Sequence, residues 1–251
     1  MIDQQLVSEV IESQPFPLLF LTISGAHLYG FPSHDSDYDL RGIHVLPPQK
    51  ILGLYPVRET IEISEVEAGL EIDLVTHDIK KFFTLLLTRN GYVLEQLYSP
   101  LIIKTTPEHR QLRAIASNCI TRNHYYHYQG FAKNQWQLFT KKNVYEVKPL
   151  LYIYRVLLTG INLMNTGRIE ANLVDLNQEF NLSHINDLIE LKKAESEKAI
   201  FQNTDLTFHQ QEYQRLQGEL ETAFNNSHLP ETSSAKPELN NLLLEIRKYS
   251  R

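Results

Sequence analysis

Cysteine is almost absent: Cys119 stands alone among 251 residues. One thiol cannot build an internal disulfide framework or a multi-cysteine zinc site. It lies in an apolar helical context and reads as a small buried hydrophobe. Long hydrophobic runs are also missing. The longest early run, Phe16 to Ile23, is far shorter than the ~20 residues that span a bilayer, and no basic segment precedes it. The expectation is a soluble, cytoplasmic protein with no membrane partner. Positive charge is in deficit, with 24 Lys and Arg against 30 Asp and Glu, a net charge of −6. That argues against coating nucleic acid by bulk electrostatics, though not against a local basic groove. Acids gathered at a metal site would also make the apo charge misleading, because bound cations offset them. No internal repeat is seen.

What the chain does have is 42% hydrophobic residues and length enough for one large domain or two small ones. Its most informative stretch is ISGAHLYGFPSHDSDYDLRGIHV, Ile23 to Val45. A strand-like run, Leu18 to Ile23, breaks at Ser24-Gly25 and passes through Gly30, Pro32 and Ser33. It then delivers Asp37-Tyr38-Asp39 at the start of a second apolar run. Two acids two positions apart on a strand share a face, with Cα atoms about 6–7 Å apart. That suits carboxylates converging on hard divalent cations. A glycine turn just upstream can offer backbone N–H groups to a phosphate. The competing account is a polar turn with an N-cap, which the Asp-x-Asp motif alone would favour. A third acid shifts the balance: Asp73 lies in the apolar stretch Glu71 to Val75, where a charge is costly unless paired or metal-bound. Glu71 shares the strand face of Asp73 and is a confounder.

Gly25-Ala26, Asp37-Tyr38-Asp39 and Asp73 resemble the pattern of the DNA polymerase beta superfamily of nucleotidyltransferases. That pattern is a hydrophobic residue, Gly-Gly or Gly-Ser, a gap, Asp-x-Asp or Asp-x-Glu, and a later acid. The closer resemblance is to the RNA-ligase-associated, RlaP-like nucleotidyltransferases of bacteria and phages. It is carried by SGAHLYGFPSHDSDYDLRGIHVLP, EIDLVTHDIKKFFTLLLTRNGYVLEQLYSPLII, HYYHYQGFA and VYEVKPLLYIYRVLLTG, roughly Leu18 to Asn172. The fold it implies is α+β, with an α/β-like N-terminal half. A nucleotidyltransferase-type mixed sheet flanked by helices is followed by a helical C-terminal domain.

The activity the resemblance implies is transfer of NMP from an NTP to a hydroxyl, releasing pyrophosphate, an EC 2.7.7 type reaction. Two Mg²⁺ or Mn²⁺ ions would be held by Asp37, Asp39 and Asp73. The turn at Ser24, Gly25 and Ala26 would cradle the nucleotide phosphates. Ala26 departs from the family's usual Gly or Ser and keeps only its backbone N–H. Ser24 is a candidate substitute hydroxyl, one residue before the glycine rather than after it. Arg41 shares the acids' face and either steadies them, binds phosphate or makes a structural salt bridge. The family name points to an RNA 3′ end, such as that of tRNA, as acceptor, and to a partner in an RNA-ligase pathway. A protein hydroxyl, as in antitoxins that adenylylate a toxin, comes second, and a small aminoglycoside-like acceptor third. The rival from another class is a catalytically silent nucleotide- or RNA-binding module, motivated by Ala26.

Along the rest of the chain, residues 2–13 predict a short amphipathic helix, and 39–46 a strand ending at Pro47-Pro48. Residues 49–58 read as loop. Strands follow at 60–66 and 71–76, joined by a turn at Ala68-Gly69. Asp78 caps a helix over 79–87, and another spans 92–98. Leu101 to Ile103 is a brief apolar piece. Pro107 opens a helix predicted to run to about His127. His124 and His127 lie three apart; aromatic packing or a pocket wall is favoured over metal ligation, and base stacking is a further reading. A helix from Pro149 to Leu158, stopped by Gly160, would carry Lys148, Tyr152 and Arg155 on one face. Spacing allows a solvated face or a triphosphate-binding stripe, and the resemblance favours the stripe. Residues 161–200 are helical, with Lys192 and Lys193 predicted to face out and a charged helix continuing over 195–198. Residues 208–224 form another helix. Asn225 to Lys236 reads as a flexible linker before a last helix over 237–249. The expected domains are catalytic 1–105, helical 106–226, and a linker with C-terminal helix 227–251.

Overall fold

The computed structural model describes residues 4–67, 70–142, 144–195, 200 and 206–249. The turn expected at Ala68-Gly69 and the charged helix expected over 196–198 lie outside the described residues. The elements in order are α1 (Gln4–Glu12), β1 (Leu18–Ile23), α2 (Gly25–Tyr29), β2 (Tyr38–His44), α3 (Pro48–Leu52), β3 (Thr60–Glu67) and β4 (Leu70–Asp78). Then come α4 (Ile79–Leu87), α5 (Gly91–Tyr98), β5 (Ile102–Lys104) and α6 (Pro107–Ala116). The remainder is helical: α7 (Tyr125–Thr140), α8 (Val147–Thr166), α9 (Leu173–Phe180), α10 (Ser183–Glu195), α11 (Leu206–Asn226) and α12 (Lys236–Tyr249). This is an α+β protein.

Contacts divide the chain into two units. The first comprises Met1–Ser24, Asp37–Cys119 and Ser233–Arg251; the second comprises Gly25–Ser36 and Ile120–Thr232. The boundaries differ from a cut at residue 105 because α6 packs on β1, and α12 packs on α4 and α6.

The first unit holds a five-stranded mixed sheet in the order β3-β4-β2-β1-β5. Only β2 and β4 run parallel; the other pairs are antiparallel. β1 is a continuous apolar run, LLFLTI, because it is buried along nearly its whole length. One core is built on Leu18, Leu21, Leu40, Ile72 and Leu74, with Val10 and Ile11 of α1 against it. Phe20 points the other way and stacks on His109 of α6 at 4.5 Å. Asp78, 1% exposed, ends β4 and caps α4 by accepting from the Lys80 amide. Arg247 of α12 grips both oxygens of that carboxylate at 2.6 and 2.5 Å, and also donates to the Leu46 carbonyl. Residues 49–58 contain a short helix, α3, rather than loop alone; Pro48 opens it, and it buries none of its side chains.

The second unit is organised on α8, which packs against α7, α9, α10 and α11. α8 is longer than the predicted Pro149–Leu158 and runs straight through Gly160. A Cβ at Gly160 would lie 2.9 Å from Tyr128 Cβ. The glycine is there for close approach of α7 and α8, not to end the helix. α8 ends instead at Gly167, in the left-handed region at φ 71°. The helix expected from Pro107 to about His127 stops at Ala116. Short 3₁₀ turns at Ser117–Cys119 and Arg122–His124 intervene before α7. The predicted linker is hydrogen-bonded rather than loose. Ser227 Oγ donates to the Met164 carbonyl, the Arg122 amide to the Pro230 carbonyl, and Asn123 to the Glu231 carbonyl. In the first unit, Ser233 Oγ donates to the Asn118 carbonyl.

Candidate active site

Parallel pairing of β2 with β4 places Asp39 directly opposite Asp73. Register partners on adjacent strands share a face, and neighbouring strands lie about 4.8 Å apart. Two acids 34 positions apart in sequence thus become neighbours on one sheet surface. Asp37 immediately precedes β2 and is partly exposed. Among the described residues, no group of three or more His, Cys, Asp or Glu side chains is arranged to hold one metal ion. The structure therefore brings Asp39 and Asp73 together, and does not gather Asp37 with them into one ligand cluster.

Arg41 lies between the two carboxylates. Its Nη2 donates to Asp39 Oδ1 at 2.7 Å and to Asp73 Oδ2 at 2.9 Å. Nη1 donates to the carbonyls of Leu40 and Asp73 at 2.9 and 2.6 Å, and Nε to the Tyr92 hydroxyl at 3.1 Å. All five N–H groups of the guanidinium are thereby used. Burial disfavours the Arg41 charge, but Tyr92, Asp39 and Asp73 outweigh it and raise the pKa. Arg41 thus forms a salt bridge with both acids, the structural account that spacing left open beside a role in steadying them or binding phosphate. Tyr92, at the start of α5, is the partner that sequence patterns did not reveal; no local spacing links it to a strand 51 positions earlier.

The donor set suits a hard divalent cation in kind, since Asp39 and Asp73 offer only oxygen. A carboxylate has about four acceptor positions, so a guanidinium contact alone does not exhaust one.

The turn after β1 is tightly built. Ser24 is fully buried, and its amide donates to the Asp39 carbonyl at 2.7 Å. Its hydroxyl has no hydrogen-bond partner among the described residues. Gly25 follows at φ 61°, a backbone conformation that admits glycine without strain. Ala26, in the second unit, is buried, and its carbonyl accepts from the Phe31 amide at 3.2 Å.

The Lys148, Tyr152 and Arg155 stripe is not a solvated face. Arg155 is 3% exposed, and its guanidinium lies 4.0 Å from the Tyr29 ring centroid. Tyr152 meets Tyr29 and Phe31 edge-on at 5.3 and 5.7 Å, while Lys148 is half-buried. Tyr152 and Arg155 hold α2 and the segment after it within the second unit. His124 is buried and its Nδ1 accepts from the Thr121 amide at 3.2 Å. His127 packs edge-on against Tyr128. Both histidines act as packing and capping groups here, as aromatic spacing suggests.

Lys192 differs from its predicted outward position. It is fully buried, and its Nζ donates to the hydroxyls of Ser33 and Ser36 at 3.0 and 3.4 Å. Lys193 does face out, 3.6 Å from Glu190.

Comparison with known proteins places this geometry in context. Residues 2–245 match the RlaP family, described as an RNA repair pathway DNA polymerase beta family. The uncharacterized protein MJ0002 of Methanocaldococcus jannaschii is 33% identical over 156 residues, covering 61% of this chain and 63% of that protein. The uncharacterized protein YcgL of Bacillus subtilis is 27% identical over 162 residues, covering 62% of this chain and 60% of that one. The matches thus span under two thirds of either relative. A crystal structure of a nucleotidyltransferase-like protein from Exiguobacterium sibiricum aligns over 99% of this chain and 79% of its own, at 13% identity and a TM-score of 0.34. No helix among the described residues is long and apolar enough to cross a membrane.

Proposed function

We propose that this chain, which belongs to the RlaP family, is a metal-dependent nucleotidyltransferase that passes NMP from an NTP to a hydroxyl acceptor. The observation that carries this is Asp39 opposite Asp73 across the parallel β2–β4 pair, with Arg41 held against both. Asp39 and Asp73 are the facing pair that would hold Mg²⁺ or Mn²⁺, and Asp37, just before β2 and outside that pair, would join them as a further ligand. Bound there, the ions supply Lewis-acid charge at the oxygens exchanged in an in-line displacement. Arg41 fixes the two facing carboxylates and offsets their repulsion. Ser24, Gly25 and Ala26 would meet the phosphates, with Ser24 contributing a hydroxyl that lacks a partner in the described structure. Lys148 would contribute charge to the nucleotide, and Tyr152 and Arg155, packed against Tyr29 and Phe31, would support the α2 segment that begins with Gly25 and Ala26.

The acceptor we favour is an RNA 3′ end, in keeping with the family's description as an RNA repair pathway family. A protein hydroxyl is the next choice, with a partner in an RNA-ligase pathway also in view. A second reading, a catalytically silent nucleotide- or RNA-binding module, is favoured by Ala26. It offers no side-chain hydroxyl where the superfamily usually has Gly or Ser. Metal-dependent pyrophosphate release from an NTP, assayed with RNA, protein and aminoglycoside acceptors in turn, separates these. Release with RNA supports the first reading. Nucleotide binding without release under any condition supports the second.

A further inference from the structure

Lys192 occupies a position that the helix pattern reserves for a hydrophobe. Along α10, residues 185, 188, 189 and 192 fall at i, i+3, i+4 and i+7, the spacing of one buried stripe. Ile185, Leu188 and Ile189 fill it as expected, and Lys192 is the fourth member, 0% exposed. Burial strips an ammonium of its water and is costly unless polar partners replace that water. An apolar residue would satisfy the stripe without this cost, so the lysine calls for a reason beyond packing.

The partners supply one. Nζ of Lys192 donates to Ser33 Oγ at 3.0 Å and Ser36 Oγ at 3.4 Å. The two serines are themselves knotted. The Ser33 amide donates to Ser36 Oγ at 2.9 Å, the Ser36 amide donates to the Ser33 carbonyl at 3.2 Å, and the two hydroxyls are 3.1 Å apart. His34 and Asp35 form the exposed tip of this turn, while Ser36 is 8% exposed. The residue after Ser36 is Asp37.

We propose that Lys192 is a positioning residue for Asp37. It locks the Ser33–Ser36 turn of the second unit from α10, more than 150 positions away in sequence, and so fixes the residue to which Asp37 is bonded. The catalytic consequence rests on the reading of Asp37 as a metal-binding acid; the lock itself does not.

Hydrogen exchange on the full-length protein tests it. The variants are Lys192→Met, which keeps the apolar stem and loses the ammonium, and the Ser33→Ala/Ser36→Ala pair, which leaves the α10 stripe untouched. Both should raise exchange in the 31–39 segment about tenfold while α8 and α11 exchange as in the wild type. In the NTP assay both should lower kcat about tenfold with KM for the nucleotide within about twofold, the signature of a displaced catalytic group rather than a lost contact. Wild-type exchange over 31–39 in the serine pair would overturn the proposal. The same holds if Lys192→Met is unstable throughout while the serine pair behaves as wild type. Exchange needs no turnover: a faster 31–39 segment in a protein that transfers no nucleotide would uphold the lock and reject the role given to Asp37.

Discussion

Asp39 stands directly opposite Asp73 in a parallel strand pair, and a single nitrogen of Arg41 is 2.7 Å from one carboxylate and 2.9 Å from the other. Like charges on facing positions destabilise a sheet. Here the guanidinium offsets them, and it is anchored by Tyr92 and two carbonyls so that it cannot swing away without breaking five hydrogen bonds.

Arg41→Met removes that cation and leaves the acids facing each other. The side chains of Asp39 and Asp73 are 28% and 42% exposed, so water softens the loss. The cost should be about 2 kcal/mol, below the range for a fully buried pair, measured by urea denaturation. Mn²⁺ should then raise the Tm of Arg41→Met by more than it raises that of the wild type, because the metal replaces the missing charge. Equal shifts would separate the acids from metal binding.

Lys148→Ala should weaken nucleotide binding about tenfold, the loss of one charge-assisted phosphate contact. Lys193→Ala should change it by less than about twofold, since that side chain is exposed beside Glu190. Nucleotide anisotropy titrations decide it, and equal effects would leave Lys148 outside the nucleotide site.

Arg247→Ala should destabilise the protein by about 3 kcal/mol, because Asp78 is buried and would lose its charged partner. The ion pair ties α12 to the end of β4. A loss under about 0.5 kcal/mol in chemical denaturation would mean that α12 is held by its apolar contacts alone.

His44 is fully buried, with Nδ1 2.9 Å from Thr76 Oγ1. Burial pushes its pKa down to about 4, against an opposing pull from Asp78. Below about pH 6.5 the unfolded chain takes up a proton that the folded chain refuses until about pH 4. Stability attributable to His44 is therefore present near pH 7.5 and falls on acidification, by about 2 kcal/mol at pH 5. His44→Gln should flatten that part of the pH dependence, and an unchanged slope would assign it to other groups.

The sheet and the acids were the legible part of the sequence. Leu18–Ile23 is apolar without a break because β1 is buried, and Asp-x-Asp and Asp73 stand out because charge is rare in such runs. The pairing that puts Asp39 on Asp73 is non-local, and no spacing rule contains it. Gly160 misled because a glycine that stops a helix and one that admits a neighbouring helix look alike until Tyr128 is in place. Lys192 was legible in principle, as a lysine at i+7 of an apolar stripe. Its neighbour Lys193, exposed and paired with Glu190, hides that signal in a charged dipeptide.

The most direct test of nucleotidyl transfer is incubation with each α-labelled NTP and Mg²⁺ or Mn²⁺, with and without RNA bearing a 3′-hydroxyl, for the wild type and Asp39→Asn. An amide is a poor ligand for a hard dication, so label should pass to RNA only with metal and should be lost in Asp39→Asn while its fold persists. Near-normal transfer by Asp39→Asn, or no metal-dependent transfer by the wild type to any acceptor, would contradict the account.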